Sequence, residues 1–342
     1  MNEKEQKLQT YHSLSNMHRF RLRLFAEGIL TGVFAGLVIS FFRFALVEAE
    51  ALRGALYNRL WVSSWSINAC WFAALVALAF ILHKLNIFEP MAAGSGIPQV
   101  KGTILGLMKM RWLRVLYVKL AAGILGIGAG LSLGREGPSI QLGAVAAQGI
   151  SRLLGRTRME ERYLLTSGAS AGLAAAFNAP LAGVIFALEE LHRNFSIMVL
   201  LPSMAAAFTA TIISRAIFGR ATIFDIPDLQ LLPLSYYGIV VLVALAAGAF
   251  GVLFNWGLLN IGRFYSLPLF QKPVHKIIFA LLCAGVLGYF LPEVLGGGNE
   301  LINQLAKAPV SLQLLLVFLA GKLLFTLISY GCGVPGGFFL PM

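Results

Sequence analysis

The chain has 342 residues, 58% of them hydrophobic and 12% charged, with a mean hydropathy of +0.78. So apolar a balance excludes an ordinary soluble domain and describes an all-α chain that crosses a membrane several times. The net charge of +12 does not point to nucleic acid, because the basic residues form no stripe and sit in the gaps between apolar runs, where they set topology.

In chain order, residues 1–18 are polar and are expected as a cytoplasmic segment at the interface, partly mobile. Lys4, Lys7, Arg19, Arg21 and Arg23 outnumber Glu3 and Glu5, and no cleavable signal pattern is present. The N-terminus is therefore placed on the cytoplasmic side. Residues 20 to about 56 read as one long helix in which Gly28, Gly32 and Gly36 offer a smooth strip for close packing. Arg43, Glu48, Glu50 and Arg53 follow, where the far end of that helix leaves the core, and Trp61, Trp65 and Trp71 mark the next interface. Uncharged runs recur at 60–82, 163–188, 194–214, 229–262, 277–292 and from 323 onward, near the roughly 20 residues that a spanning helix needs. The run at 229–262 fits one long tilted helix or a helix and a re-entrant piece. Others, such as 120–134, are too short and are broken by glycine and proline, which is the pattern of discontinuous transporter helices.

Two of these breaks carry polar groups. At 94–98 the sequence Gly-Ser-Gly-Ile-Pro puts two glycines and the Ser95 hydroxyl ahead of a proline-started helix. That fits an ordinary N-cap, or an anion cradle of backbone N–H groups and a hydroxyl. A basic gap follows, with Lys101, Lys109, Arg111, Arg114 and Lys119. At 134–138 the sequence Gly-Arg-Glu-Gly-Pro lodges Glu136 between uncharged stretches, at membrane depth, where an ionisable group is costly unless it lines a pathway. Pro138 suits the first turn of a helix. The positive end of such a helix attracts anions, and Glu136 stands where an anion would.

A repeat links these breaks to the end of the chain. Residues 119–138 match 322–341 at an offset of 203, pairing Lys119 with Lys322, Gly128 with Gly331, Gly130 with Gly333, Gly134 with Gly337 and Pro138 with Pro341, while 94–96 answer 296–298 at an offset of 202. Duplicated halves with the substrate site between them are a transporter plan. The expected organisation is a cytoplasmic segment at 1–18, a first membrane repeat at 19–193 and a second at 194–342. The second repeat is incomplete, because Pro138 is followed by some fifty further residues of its half and Pro341 only by Met342. The chain is expected to be truncated.

Two features admit other readings. Residues 168–172 fit the G-x-S-x-G of a serine hydrolase, which would need a histidine base for Ser170. The five histidines, His12, His18, His83, His192 and His275, stand near the edges of apolar runs, and the surrounding alanines read as close helix packing. Glu189 and Glu190 close the run at 163–188 either as a solvated helix end, paired with Arg193, or as the entry of a proton relay towards Glu136. Cys70, Cys283 and Cys332 lie in apolar surroundings without metal-type spacing and read as packing residues, so neither a metal nor a cofactor is assigned.

The motifs GSGIP at 94–98, GREGP at 134–138, AFNAPLAG at 176–183 followed by Glu189 and Glu190, and GFFLP at 337–341 resemble, in this order, the CLC family of chloride channels and chloride/proton antiporters. The resemblance implies a multi-pass protein of the cell's inner membrane with a CLC-type inverted repeat of tilted and broken helices. It also implies a homodimer at full length with one pore per subunit. It places chloride on Ser95 and on backbone N–H groups around Gly96, Ile97, Phe338 and Phe339, with Arg135 and Gly137 in the same anion site. Glu136 would be the gate that competes with chloride, and Glu190 the internal proton glutamate of exchanger members. The implied partners are chloride, protons and the lipid bilayer, with no nucleic acid. Ser95 in place of proline, and the intact GREGP, resemble chloride-selective members more than the fluoride-exporting branch. Lys101 departs from the acid found there in some bacterial exchangers, and is expected to alter local ion pairing around Lys119. A passive chloride channel of the same fold is the alternative function, separated only through Glu190.

Overall fold

The computed structural model describes residues 3–193, 195–219, 233–307 and 310–342, with side chains from Met17 onward. Asn194, the start of the run at 229–262 and the side chains of Glu3, Lys4, Glu5, Lys7 and His12 lie outside the described residues. Twelve α-helices are found among the described residues: α1 (Glu3–Leu60), α2 (Trp65–Phe88), α3 (Ile97–Ile104), α4 (Trp112–Gly128), α5 (Glu136–Leu153), α6 (Arg158–Phe177), α7 (Pro180–Phe186), α8 (Ile197–Phe218), α9 (Tyr237–Phe264), α10 (Pro273–Phe290), α11 (Asn299–Lys307) and α12 (Leu312–Gly331). Among the described residues six segments are long and apolar enough to cross a membrane: Met17–Leu60, Trp65–Phe88, Ile197–Phe218, Leu234–Phe264, Pro273–Phe290 and Leu312–Gly331. The polar segment at 1–18 is not separate from the first helix, since α1 is continuous from Glu3. The long run near 229–262 resolves into the single helix α9, preceded by the 3-10 turn Leu234–Tyr236.

The chain folds as two compact units, each drawn from several stretches of sequence. One comprises Met1–Arg43, Gly96–Tyr117 and Pro138–Arg220; the other comprises Phe44–Ser95, Val118–Gly137 and Ala221–Met342. In the first unit the glycine strip of α1 has the consequence that its spacing implied. A Cβ on Gly28, Gly32 or Gly36 would stand 2.6, 2.6 or 3.0 Å from backbone atoms of Pro202, Ala206 or Ala210, so only glycine lets α8 approach α1 this closely. Gly168 and Gly172 do the same for α6, where an added Cβ would strike the carbonyl oxygens of Gly143 and Ser139 on α5. The helix α6 starts with a capping box: the Thr157 hydroxyl takes the Glu160 N–H while the Glu160 carboxylate takes the Thr157 N–H at 2.9 Å. Arg43, which follows the apolar stretch of α1, donates to the Ala175 carbonyl at 2.9 Å and to the Ser214 hydroxyl at 2.7 Å.

The second unit carries the repeat. The 3-10 turns Pro90–Ala92 and Pro292–Val294 fall 202 residues apart and follow α2 and α10 respectively. Matched glycines share left-handed backbone: Gly94 and Gly296 at φ +61° and +66°, Gly130 and Gly333 at +110° and +80°. Other residues are strained there, so the glycines of the motif are set by backbone shape. Gly134 and Gly337, equivalent in sequence, form an antiparallel bridge, each N–H donating to the other's carbonyl at 2.7 Å. A residue bonded to its own repeat mate marks where a two-fold relation between inverted repeats passes through the chain.

Candidate functional site

The site grows from this bridge. At Gly134 a broken segment turns into α5, whose first residue is Glu136. Glu136 is 3% exposed, and neither carboxylate oxygen takes a well-aligned hydrogen bond. The backbone amides of Arg135, Glu136 and Leu340 face it more loosely. One oxygen, Oε2, fills the space where Gly134 would carry a side chain, and a Cβ on Gly337 would lie 3.3 Å from the same atom. A carboxylate tucked against a helix start by amides and bare glycines is held by dipoles without being locked in place, since a full charged hydrogen bond is worth about 1.5–3 kcal/mol.

Ser95 stands on the opposite side of the same turn. It is 7% exposed, and a Cβ on Gly137 would lie 2.5 Å from its hydroxyl oxygen and 2.7 Å from its carbonyl. The Ser95 hydroxyl thus lies against the bare backbone of Gly137. Gly96 is the left-handed N-cap of α3 at φ +91°, with Ile97 and Pro98 opening the helix; both Gly96 and Ile97 belong to the first unit. At the repeat mate, Met342 N donates to Phe338 O at 3.0 Å, the first i to i+4 bond of a helical turn. The amides of Phe338 and Phe339 therefore lie at the N-terminal edge of that turn. The Phe338 ring packs on Tyr330 and Phe254, with centroids 4.9 and 5.9 Å away. Arg135 is partly buried. Ser95, Arg135, Glu136, Gly137, Phe338 and Phe339 are thus in one unit.

Two buried lysines support the cradle. Lys119 Nζ donates to the carbonyls of Ala92 and Gly94 at 2.9 and 2.7 Å. Its repeat mate Lys322 donates to Val294, Leu295 and Gly296 at 2.9, 3.5 and 2.8 Å. Each ammonium ties down the glycine turn preceding a short helix, so carbonyls that would repel an anion are turned away towards lysine. The sequence repeat paired these lysines but assigned them no partner.

Glu190 lies in the first unit, on a π-helical turn, Ala187–His192. Its hydrogen-bonded partner is Lys101, whose Nζ donates to Glu190 Oε1 at 2.6 Å, while the charge of Arg193 acts on the carboxylate more weakly. The expectation that Lys101 affects pairing around Lys119 is therefore corrected. Lys119 spends its ammonium on backbone carbonyls, and Lys101, one turn into α3, reaches the carboxylate at 190. The Lys101 hydrogen bond holds the Glu190 carboxyl below the usual carboxylate range. No spacing in the sequence announces a partner 89 residues away.

Ser170 sits in the middle of α6, fully buried, with its hydroxyl 3.5 Å from the Ser203 carbonyl. A nucleophile elbow needs a strand-to-helix turn. Here the glycines serve helix packing, and His192 pairs with the Thr166 hydroxyl at 3.0 Å. Among the described residues no group of His, Cys, Asp or Glu is placed to hold a metal ion.

The fold and site define a polytopic α-helical membrane protein with inverted broken-helix repeats and a carboxylate at a helix start. The chain belongs to the voltage gated chloride channel family, which it matches over residues 75–342. The H(+)/Cl(-) exchange transporter ClcA of Vibrio cholerae is 34% identical over 328 residues, covering 92% of this chain and 69% of that protein. Its counterpart from Vibrio vulnificus is 36% identical over 328 residues, covering 92% and 68%. Among solved structures, a slow cyanobacterial Cl−/H+ antiporter superposes with a TM-score of 0.85 at 31% identity, covering 93% of this chain and 76% of that one. A CLC-type fluoride/proton antiporter gives 0.75 at 25% identity, covering 94% and 78%.

Proposed function

We propose that the chain exchanges chloride for protons across the membrane, with Glu136 as the gate. The observation that carries this reading is the buried Glu136 carboxylate, seated at the start of α5 against the Gly134–Gly337 bridge without a full hydrogen bond. Chloride and the carboxylate are anions drawn to the same dipole ends, so each favours the other's departure. Ser95 and the amides of Gly96, Ile97, Phe338 and Phe339 hold chloride in place of its hydration shell, with Arg135 and Gly137 adding positive potential. A proton neutralises Glu136, weakens its hold and lets it swing aside. Because Glu136 must meet both ions, chloride and proton movements are linked in opposite directions, and Glu190 passes the proton to and from water. The relatives named as H(+)/Cl(-) exchange transporters support this reading.

The same proposal places the chain in the inner membrane with its N-terminus cytoplasmic, repeats at 19–193 and 194–342, and a homodimer as the working form. Only Phe254 is buried along α9, which leaves an apolar face for lipid or for a second copy. In liposomes carrying a chloride gradient, chloride running downhill is expected to drive protons uphill, read with an external pH electrode. Chloride flux without proton movement would assign the passive channel instead.

Lys101 gives the reading a pH signature. With the Glu190 carboxyl held low, the ion pair is complete above the ordinary carboxylate pKa and is lost as the pH falls through the depressed value. At neutral pH Glu190 rarely carries a proton. Lys101→Met is expected to move the acidic limb of coupled proton flux to higher pH, because the carboxyl loses the partner that holds it low. An unchanged profile would reduce the contact to a surface ion pair.

A further inference from the structure

The first unit holds a second polar concavity, away from Ser95 and Glu136. It has a volume of about 210 Å³ and is lined at its polar wall by Lys109, Arg152, Arg158, Arg162, Glu161 and Gln148. Four cations surround one carboxylate, and that carboxylate is already engaged. Glu161 accepts from Gln148 Nε2 at 2.7 Å and stands 3.8 Å from Arg152 Nε. The N-terminus of α6 takes no part, since Thr157 and Glu160 cap it. Arg162 is aimed by a turn that only glycine fits: Gly106 has φ +80°, and a Cβ there would stand 2.7 Å from Arg162 Nη2. The surplus of three positive charges around a space of this size suits a phosphate group, which takes several guanidinium donors at once.

Two further observations narrow the ligand. Gln148 is 2% exposed, and its Oε1 has no donor; a phosphodiester supplies acceptors only, so a ligand of that kind would meet Oε1 with a hydroxyl or ammonium elsewhere in its headgroup. Exposed apolar side chains adjoin the lining residues in sequence: Leu107 is 79% exposed, Leu153 at the end of α5 80% and Met159 in the first turn of α6 59%. Helix ends and turns facing water are polar, whereas basic heads beside exposed leucines are the pattern of a membrane interface. We propose that this cavity binds the phosphate and headgroup of an anionic glycerophospholipid, phosphate on the arginines, headgroup hydroxyl on Gln148 and acyl chains over the exposed leucines. The site does not depend on what the chain transports.

Native mass spectrometry of the detergent-solubilised chain, titrated with phosphatidylglycerol or phosphatidylcholine, tests it. Phosphatidylglycerol is expected to be retained and phosphatidylcholine not. The double variant Arg152→Gln/Arg158→Gln is expected to bind phosphatidylglycerol roughly 10- to 30-fold more weakly. Lys272→Gln/Lys276→Gln removes the same charge from the other unit and is expected to bind as the wild type does. Equal retention of the two lipids, or equal loss in both double variants, would reduce the cavity to topology-setting charge and overturn the site. Displacement of the lipid by pyrophosphate at equal concentration would assign the cavity to a free phosphate anion and overturn the lipid.

Discussion

Glu136→Ala is expected to leave chloride flux intact, remove its dependence on pH, and reduce proton movement driven by a chloride gradient to zero. The expectation follows from the seat of the side chain. The carboxylate is buried, faces the amides at the start of α5 and of Leu340, and has no full hydrogen bond to replace. Removing it leaves those amides to chloride, so chloride binding measured by calorimetry should tighten by tenfold or more, about 1.4 kcal/mol. Glu190→Gln separates the two roles. It should also stop the protons, but it leaves the Glu136 carboxylate in competition, so chloride affinity should stay at its wild-type value. Proton coupling that persists in Glu136→Ala would remove the gate from the proposal, and tightened chloride binding in Glu190→Gln would mean that the two acids act on one seat.

The parts of this fold that were legible in the sequence are those in which one residue type carries a backbone requirement. The offset of 203 was readable because left-handed turns and close approaches demand glycine, and the structure returns left-handed φ angles at both Gly130 and Gly333 and mutual hydrogen bonds between Gly134 and Gly337. The strip of Gly28, Gly32 and Gly36 was readable for the same reason, although the sequence did not name α8 as its partner. Glu136 stood out because a carboxylate among apolar residues has few bland explanations. What stayed hidden were long side chains that reach across the fold. Lys101 and Glu190 are 89 residues apart and meet only because α3 and the turn after α7 are neighbours. Lys119 and Lys322 bind backbone carbonyls, which have no sequence identity to read. The serine motif at 168–172 misleads because small residues serve helix packing and catalytic turns alike.

Gly134→Ala should reproduce part of the Glu136→Ala phenotype while leaving Glu136 in the chain. The φ of Gly134 is not among the left-handed ones, so alanine is allowed by the backbone. Its methyl group, however, would overlap Glu136 Oε2 and stand 3.0 Å from Pro341 Cδ. Two hydrogen bonds of 2.7 Å to Gly337 hold the backbone of Gly134, and the end of the glutamate is the flexible partner, so the carboxylate yields. Leaving its preferred rotamer costs about 0.5–1.5 kcal/mol, which in a competition for one seat becomes a chloride affinity roughly 2- to 10-fold tighter. The decisive measurement is a double-mutant cycle with Glu136→Ala. If the methyl acts by displacing the carboxylate, Gly134→Ala adds nothing once the carboxylate is gone. If it tightens chloride binding equally in both backgrounds, it has reshaped the amide cradle itself, and the carboxylate of Glu136 was never the occupant that chloride displaces.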